Sequence, residues 1–214
     1  MIHQIYYDFE TQRQLIPGFK PYENKECSPL FENHVILDLL NQGAHRKGGY
    51  FGVIGPRFKH KLQSWPTATP YNESLLDFIR NQTSDVVNLL KGTPTDTIEY
   101  GEYCHPGFKS ILFDLLNEIG FELEKRELES AIHCNCFVAN EQFWDHYARE
   151  LLFPICEIIN QHPRIYANSR YSRPLPRTLR KRWGRSSYPF HPFILERLPN
   201  VFLMKHPDYT VTTW

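Results

Sequence analysis

Short apolar runs of strand length alternate along this chain with stretches whose apolar residues recur at helical spacing, and that alternation limits the fold more than any other feature. Ile2–Tyr7, Tyr50–Ile54, Asp85–Leu90 (DVVNLL) and Ala131–Ala139 (AIHCNCFVA) read as strands. The helical periods are Leu30–Asn41, closed by Gly43; Asn72–Arg80; Pro106 to Ile119, closed by Gly120; and Glu141–Asn160. Pro154 predicts a kink or a split in the last of these. Phe121–Leu128 is charged and reads as an edge strand or an exposed connection. Strand and helix in alternation predict a single α/β domain, Rossmann-like, with a mostly parallel sheet flanked by helices. Ligands of such sheets bind outside the carboxyl ends of the strands, and here the loops after the first strands are long and rich in Pro, Gly and Tyr.

A chain of 214 residues with 41% hydrophobic and 22% charged residues carries a full core, which excludes a disordered tail, a collagen-like repeat and a coiled coil. Its 24 basic and 24 acidic residues cancel, but they are not mixed evenly. From Ile158 to Leu195 there is no acidic residue and there are eight basic ones, leaving 16 basic against 24 acidic elsewhere. Residues 1–160 are therefore expected to form the α/β core, and 161–214 a basic, Pro-rich, irregular arm packed on it. Zero net charge makes nucleic acid an unlikely partner. Residues 164–185 suit a phosphate-binding or anionic-membrane strip, or an arm packed on the acidic body of its own chain. The five cysteines form no CxxC pair, no run of 18 apolar residues occurs, and MIHQIYYDFE lacks a basic leader region. The expectation is a reduced, cytoplasmic protein, either free or peripheral at the inner face of the membrane.

Chemistry concentrates at Glu99-Tyr100-Gly101-Glu102-Tyr103-Cys104-His105-Pro106-Gly107, read as a loop entering a helix. Two carboxylates and an imidazole beside a helix N-terminus make an acid/base set of Glu99, Glu102 and His105, with an end suited to phosphate. The bland alternative has His105 capping its helix and Glu102 on the surface. Asp8-x-Glu10 and Asp96-x-x-Glu99 offer oxygen ligands for Mg or Mn, though no Asp-x-Asp occurs. Gly55-Pro56-Arg57-Phe58-Lys59-His60-Lys61 follows a strand and supplies cations for a diphosphate. No GxGxxG, GxxxxGK[ST] or GxSxG is present, which removes the dinucleotide fingerprint, the P-loop and the common hydrolase elbow.

Five segments in order carry a resemblance: IYYDFETQRQLIPGFKPYEN, YFGVIGPRFKHK, DVVNLL followed by EYGEYCHPGF, CNCFVANEQFWDHY, and LERLPNVFL. Together they resemble a bacterial glycosyltransferase-like family of surface polysaccharide synthesis. The matching positions include Tyr7, Asn24, Lys59, Lys61, Asp85, Glu99, Gly101, Glu102, His105, Asn135, Trp144, Glu196 and Arg197; Gly55, Arg57 and Cys136 depart from the family's pattern. The resemblance implies a GT-A-like nucleotide-sugar transferase with a nucleotide-sugar donor and a glycan or glycolipid acceptor. The expected roles are Glu102 as base, with Glu99 or His105 as alternatives. Lys59, Lys61 and Arg197 would face the diphosphate. Tyr7 and Asp8 would sit against the nucleotide at the end of the first strand, and Asp85 against ribose or a metal. The missing Asp-x-Asp leaves Mg or Mn open. The competing expectation is a non-catalytic nucleotide-sugar- or glycan-binding subunit of a polysaccharide assembly complex.

Overall fold

The structure is a computed structural model that describes residues 1–26, 28–64, 72–90, 97–123, 126–129, 131–175 and 177–214. Its strands are β1 (Ile2–Tyr6), β2 (Lys20–Glu23), β3 (Gly52–Ile54), β4 (Val86–Asn88), β5 (Phe137–Ala139) and β6 (Val211–Thr213). Its helices are α1 (Phe9–Gln12), α2 (Glu32–Asn41), α3 (Phe58–Ser64), α4 (Leu75–Arg80), α5 (Thr97–Cys104), α6 (Phe108–Glu118), α7 (Glu141–Tyr147), α8 (Phe153–Ile158), α9 (Arg177–Trp183), α10 (His191–Leu195) and α11 (Leu198–Lys205).

β1 is the centre of an all-parallel sheet in the order β2-β1-β3. A second sheet, β5-β4-β6, has β5 antiparallel and β6 parallel to β4. Phe51 and Ala139 join the two edges by an antiparallel bridge, each amide donating to the other's carbonyl at 2.9 Å. The chain leaves β1 to one side for β2 and returns to its other side for β3. That reversal opens a crevice beyond the carboxyl ends of β1 and β3, the usual ligand position in such sheets.

The mixed α/β class follows the strand–helix alternation, and the departures have physical causes. β2 lies in what reads as a Pro-rich loop. Pro21 is tolerated because β2 is an edge strand that pairs only with β1. Glu99–Cys104 is helical rather than looped, because α5 packs against α6. Gly43 and Gly120 end their helices in the left-handed conformation, as their positions predict. Pro154 splits the long helix: lacking an N–H, it cannot bond the preceding turn, and the chain forms a π-helical turn over Ala148–Leu152, with Phe153 N–H donating to the Ala148 carbonyl. The described part of Phe121–Leu128 is not a strand.

The expected arm is two different things. Residues 161–175 and 184–189 run irregularly on either side of α9, whereas α10, α11 and β6 belong to the body. Ile194, Leu195, Leu198, Val201 and Phe202 are fully buried in the main core with Phe143, Trp144 and Leu151. Burying each such side chain stabilises the fold by about 1.5–3 kcal/mol, so this segment is integral. Trp144 Nε1 donates to the Phe51 carbonyl at 2.9 Å and fixes α7 on β3. Among the described residues, no helix is long and apolar enough to cross a membrane.

Candidate functional site

The rim of the crevice is formed by the residues that follow the parallel strands and by the residues that precede the antiparallel β5. Tyr7 follows β1, Asn24 follows β2, Gly55 follows β3, and the Cys134-Asn135-Cys136 turn leads into β5. Helices α2 and α3 begin at the same rim and present Glu32 and Lys61. Arg197, between α10 and α11, closes the set with Glu196.

These groups interact. Burial pushes the Glu32 carboxyl above the ordinary range, against the opposing pull of the Lys61 ammonium; Glu196 adds to the rise. Burial acts to lower Lys61, but Cys134, Cys136, Glu32 and Glu196 outweigh it and hold the ammonium firmly charged. Burial raises the Cys134 thiol, with Lys61 hydrogen-bonding to it. Arg197 Nη1 is fixed by the Phe193 carbonyl at 2.9 Å and Glu196 Oε1 at 3.0 Å, and its guanidinium lies 5.1 Å from the centre of the Phe108 ring. Two carboxylates and two cations therefore share one recess. A side chain at Gly55 would strike Glu32, since its Cβ would stand 2.9 Å from Oε1. Tyr7 is 43% exposed, yet burial raises its phenol well above the usual range, with Glu32 adding to the rise and Asn24 and Lys61 opposing it.

Backbone strain gathers at the same rim. Phe31, Cys134 and Asn135 have φ of 52°, 55° and 53°. Non-glycine residues in this region cost roughly 1–3 kcal/mol each, and they persist where the surroundings dictate the geometry. Phe31 immediately precedes Glu32, and Cys134 meets Lys61.

The basic segment roofs the recess with aromatic rings. Phe31 stacks on Tyr188 at 5.7 Å and meets Trp183 edge-on at 5.5 Å. Tyr171 contacts Tyr188 at 5.2 Å and Phe193 at 5.2 Å. Arg57 and Arg173 act electrostatically on the Tyr188 phenol, so two further cations border the roof.

The sequence-derived residues fall into three groups. Tyr7, Lys61 and Arg197 lie at the recess. Lys59 projects from the other face of α3, into a separate hollow of about 400 Å³ lined with Gln14, Arg57, His60 and Gln63. The remaining residues have structural partners. Glu102 accepts the backbone N–H groups of Gly107 at 2.9 Å and Lys109 at 2.8 Å, capping α6. Glu99 is more than half exposed and pairs with Lys109. His105 is buried and stacked 3.7 Å from Phe193, its Nδ1 3.0 Å from the Ser169 carbonyl oxygen; burial pulls its pKa down to about 4. Asp8 forms a capping box with Thr11, accepting its N–H at 2.8 Å and its hydroxyl at 2.7 Å. Asp85 stands at the amino end of β4, opposite the crevice, where it accepts from Asn140 at 2.9 Å and twice from Thr210 at 2.8 Å. Asp96 lies outside the described residues.

The stretches 57–61 and 99–105 are linked through the turn before β5, where Cys134 meets Lys61 and acts on Tyr100. Tyr100 hydrogen-bonds Cys104 and senses Arg197 and Cys134, while the Tyr100 and His133 rings are 6.3 Å apart. Sequence reasoning did not single out Glu32, His133 or Tyr188. Glu32 looks like any acidic residue in a first helical turn; the one available signal was its position just after the unrecognised β2.

No protein-family model matches the chain, no curated protein matches it, and no solved structure matches it.

Proposed function

We propose that this chain is a glycosyltransferase that takes a sugar from a nucleotide-diphosphate donor and passes it to a hydroxyl of a glycan or glycolipid. The observation that carries the reading is the convergence of Lys61 and Arg197 with Glu32 and Glu196 at the carboxyl ends of parallel strands, beneath an aromatic roof. The reversal of strand order beside β1 supports it, as does the resemblance of the five ordered segments.

In this reading the acceptor oxygen attacks the anomeric carbon, the bond from that carbon to the phosphate oxygen breaks, and the diphosphate leaves. The acceptor proton passes to Glu32, whose raised pKa suits a base working near neutrality. Lys61 and Arg197 stabilise the charge that develops on the diphosphate. Tyr7 and the roof rings hold the flat base of the donor. Asp8 is committed to its cap, and Glu196 is bonded to Arg197. This donor set does not favour Mg or Mn, and no step is assigned to a metal. The exposed α9 residues Arg177, Arg180 and Lys181 would place the recess against an anionic inner leaflet that carries a lipid-linked acceptor, at about 1 kcal/mol per cation.

The test is a thermal-shift panel of nucleotide sugars followed by a turnover assay. A donor at 100 times its dissociation constant should add about 2.7 kcal/mol of stability. Lys61→Ala and Arg197→Ala should abolish that gain, while Glu32→Gln should keep binding and lose turnover. If no nucleotide sugar stabilises the wild-type chain, the transferase reading fails. Binding without turnover by the wild type would make the chain the nucleotide-sugar-binding subunit instead.

A further inference from the structure

We propose that His146, Glu150 and His206 form a binding site for a divalent transition-metal ion of the zinc class, separate from the recess. His146 lies in α7, Glu150 in the π turn and His206 immediately after α11. His146 Nε2 and His206 Nε2 each stand 2.8 Å from Glu150 Oε2, and one ligand atom from each of the three residues lies within 4.8 Å of the others. His206 Nε2 is shielded from solvent and lies against the Glu150 carboxylate. A donor atom so placed, facing two others, is available to a cation.

The surroundings orient the set. His146 Nδ1 is 3.0 Å from the Tyr209 hydroxyl, which directs Nε2 toward Glu150. Metal-binding imidazoles are commonly oriented this way through their second nitrogen. Lys205 Nζ stands 2.8 Å from Glu150 Oε1 and so leaves Oε2 to the two rings. The π turn places Glu150 one helical turn beyond His146, and such turns recur at functional sites. Zinc bonds of about 2.0–2.1 Å space tetrahedral ligands about 3.3 Å apart, so a small adjustment of the three side chains seats the ion. His146 and Tyr209 also border a hollow of about 580 Å³.

Two imidazoles and one carboxylate select zinc, cobalt or nickel over magnesium and calcium, which prefer oxygen alone. Tyr209 adjoins Thr210, the partner of Asp85 at the amino end of β4, so the cluster lies at the opposite end of the sheet from the recess. The inference therefore stands or falls independently of the transferase reading.

The experiment titrates chelator-treated full chain with Zn²⁺ by calorimetry and with Co²⁺ by absorption. The expected result is one ion per chain, with His146→Ala and His206→Ala each weakening binding more than about tenfold. Cys134→Ser should bind as the wild type, and the Co²⁺ spectrum should lack a sulfur-to-cobalt band. Circular dichroism checks each fold, and Glu150→Gln and His206→Gln replace any alanine variant that fails to fold. Absence of saturable binding, binding indifferent to these variants, or a sulfur-to-cobalt band would overturn the proposal.

Discussion

Glu102 accepts the backbone N–H of Lys109 at 2.8 Å, so a carboxylate from one helix closes the exposed amide end of the next. Its other oxygen takes the Gly107 N–H at 2.9 Å. Glu102→Ala is expected to cost about 1–2 kcal/mol of stability, as the loss of a charged helix cap does. Urea denaturation measures this. Glu102→Gln should fold and keep the turnover proposed above; a folded Glu102→Gln protein without the turnover that the wild type shows would return the base to this position.

Gly101 is required by a close approach. A Cβ there would lie 2.6 Å from Phe108 Cε1 and 2.9 Å from Arg197 Nε. Glycine inside a helix usually costs stability, so its place in α5 follows from the space that the guanidinium and ring need. Gly101→Ala should destabilise by roughly 1–3 kcal/mol through overpacking and displace Arg197 from the recess. Denaturation and nucleotide-sugar thermal shifts together report both effects; an unchanged shift in a folded variant would detach Arg197 from binding.

The buried histidines make the chain acid-labile. Burial lowers His3, His105 and His133 to about 4 and His191 to about 3. Between pH 6.5 and those values the unfolded chain is protonated at each position and the folded chain is not. The unfolded state then binds more protons, so stability falls as the pH falls. Each group contributes up to about 1.4 kcal/mol per pH unit within its interval. Denaturant midpoints should decline steeply from pH 6.5 toward 4, and His105→Phe should flatten the slope.

Thiol chemistry should separate native from unfolded protein. Burial pushes both Cys136 and Cys156 up to about 12. The thiolate is the nucleophile, so both should resist alkylation at pH 8 in the native state and react once unfolded. Mass spectrometry of labelled peptides measures this; rapid native labelling of Cys136 would show that the turn before β5 opens freely.

Asp85 ties β4 to β6 and to the start of α7. Hydrogen bonds from Asn140 and Thr210 overcome the effect of burial and hold its carboxyl below the usual value of 3.8. Its stabilising contribution is therefore present above that value and lost as the pH falls below it. Asp85→Ala should cost about 2–3 kcal/mol at neutral pH, the scale of charged hydrogen bonds left unmade. The nucleotide-sugar binding proposed above should survive, because the residue faces away from the recess.

The sequence pattern exposed α2, α6, α7 and most of β1, β3, β4 and β5, since their periodicity, glycine stops and apolar content act locally. β2 escaped because Pro21 argues against a strand except at an edge, and an edge position is a property of the sheet. The α10–α11–β6 segment escaped because its prolines and the neighbouring arginines mask a largely apolar run whose burial comes from distant partners. At the recess, Lys61 and Arg197 stood out by charge and by resemblance. Glu32 did not, because what distinguishes it is the mass packed around it. Glu99, Glu102 and His105 drew attention by adjacency, and adjacency in the chain placed them at a helix junction.

The recess is assembled from segments near residues 7, 24, 32, 61, 134 and 197, none of which holds the others in place alone. Such non-local closure comes late and slowly, because wide loops must be ordered before any contact repays them. Under the proposed reading, capacity to bind an anionic ligand is therefore a signature of the finished chain. A folding intermediate with sound helices would still be blind to the proposed donor, and donor capture timed against refolding would mark the final step.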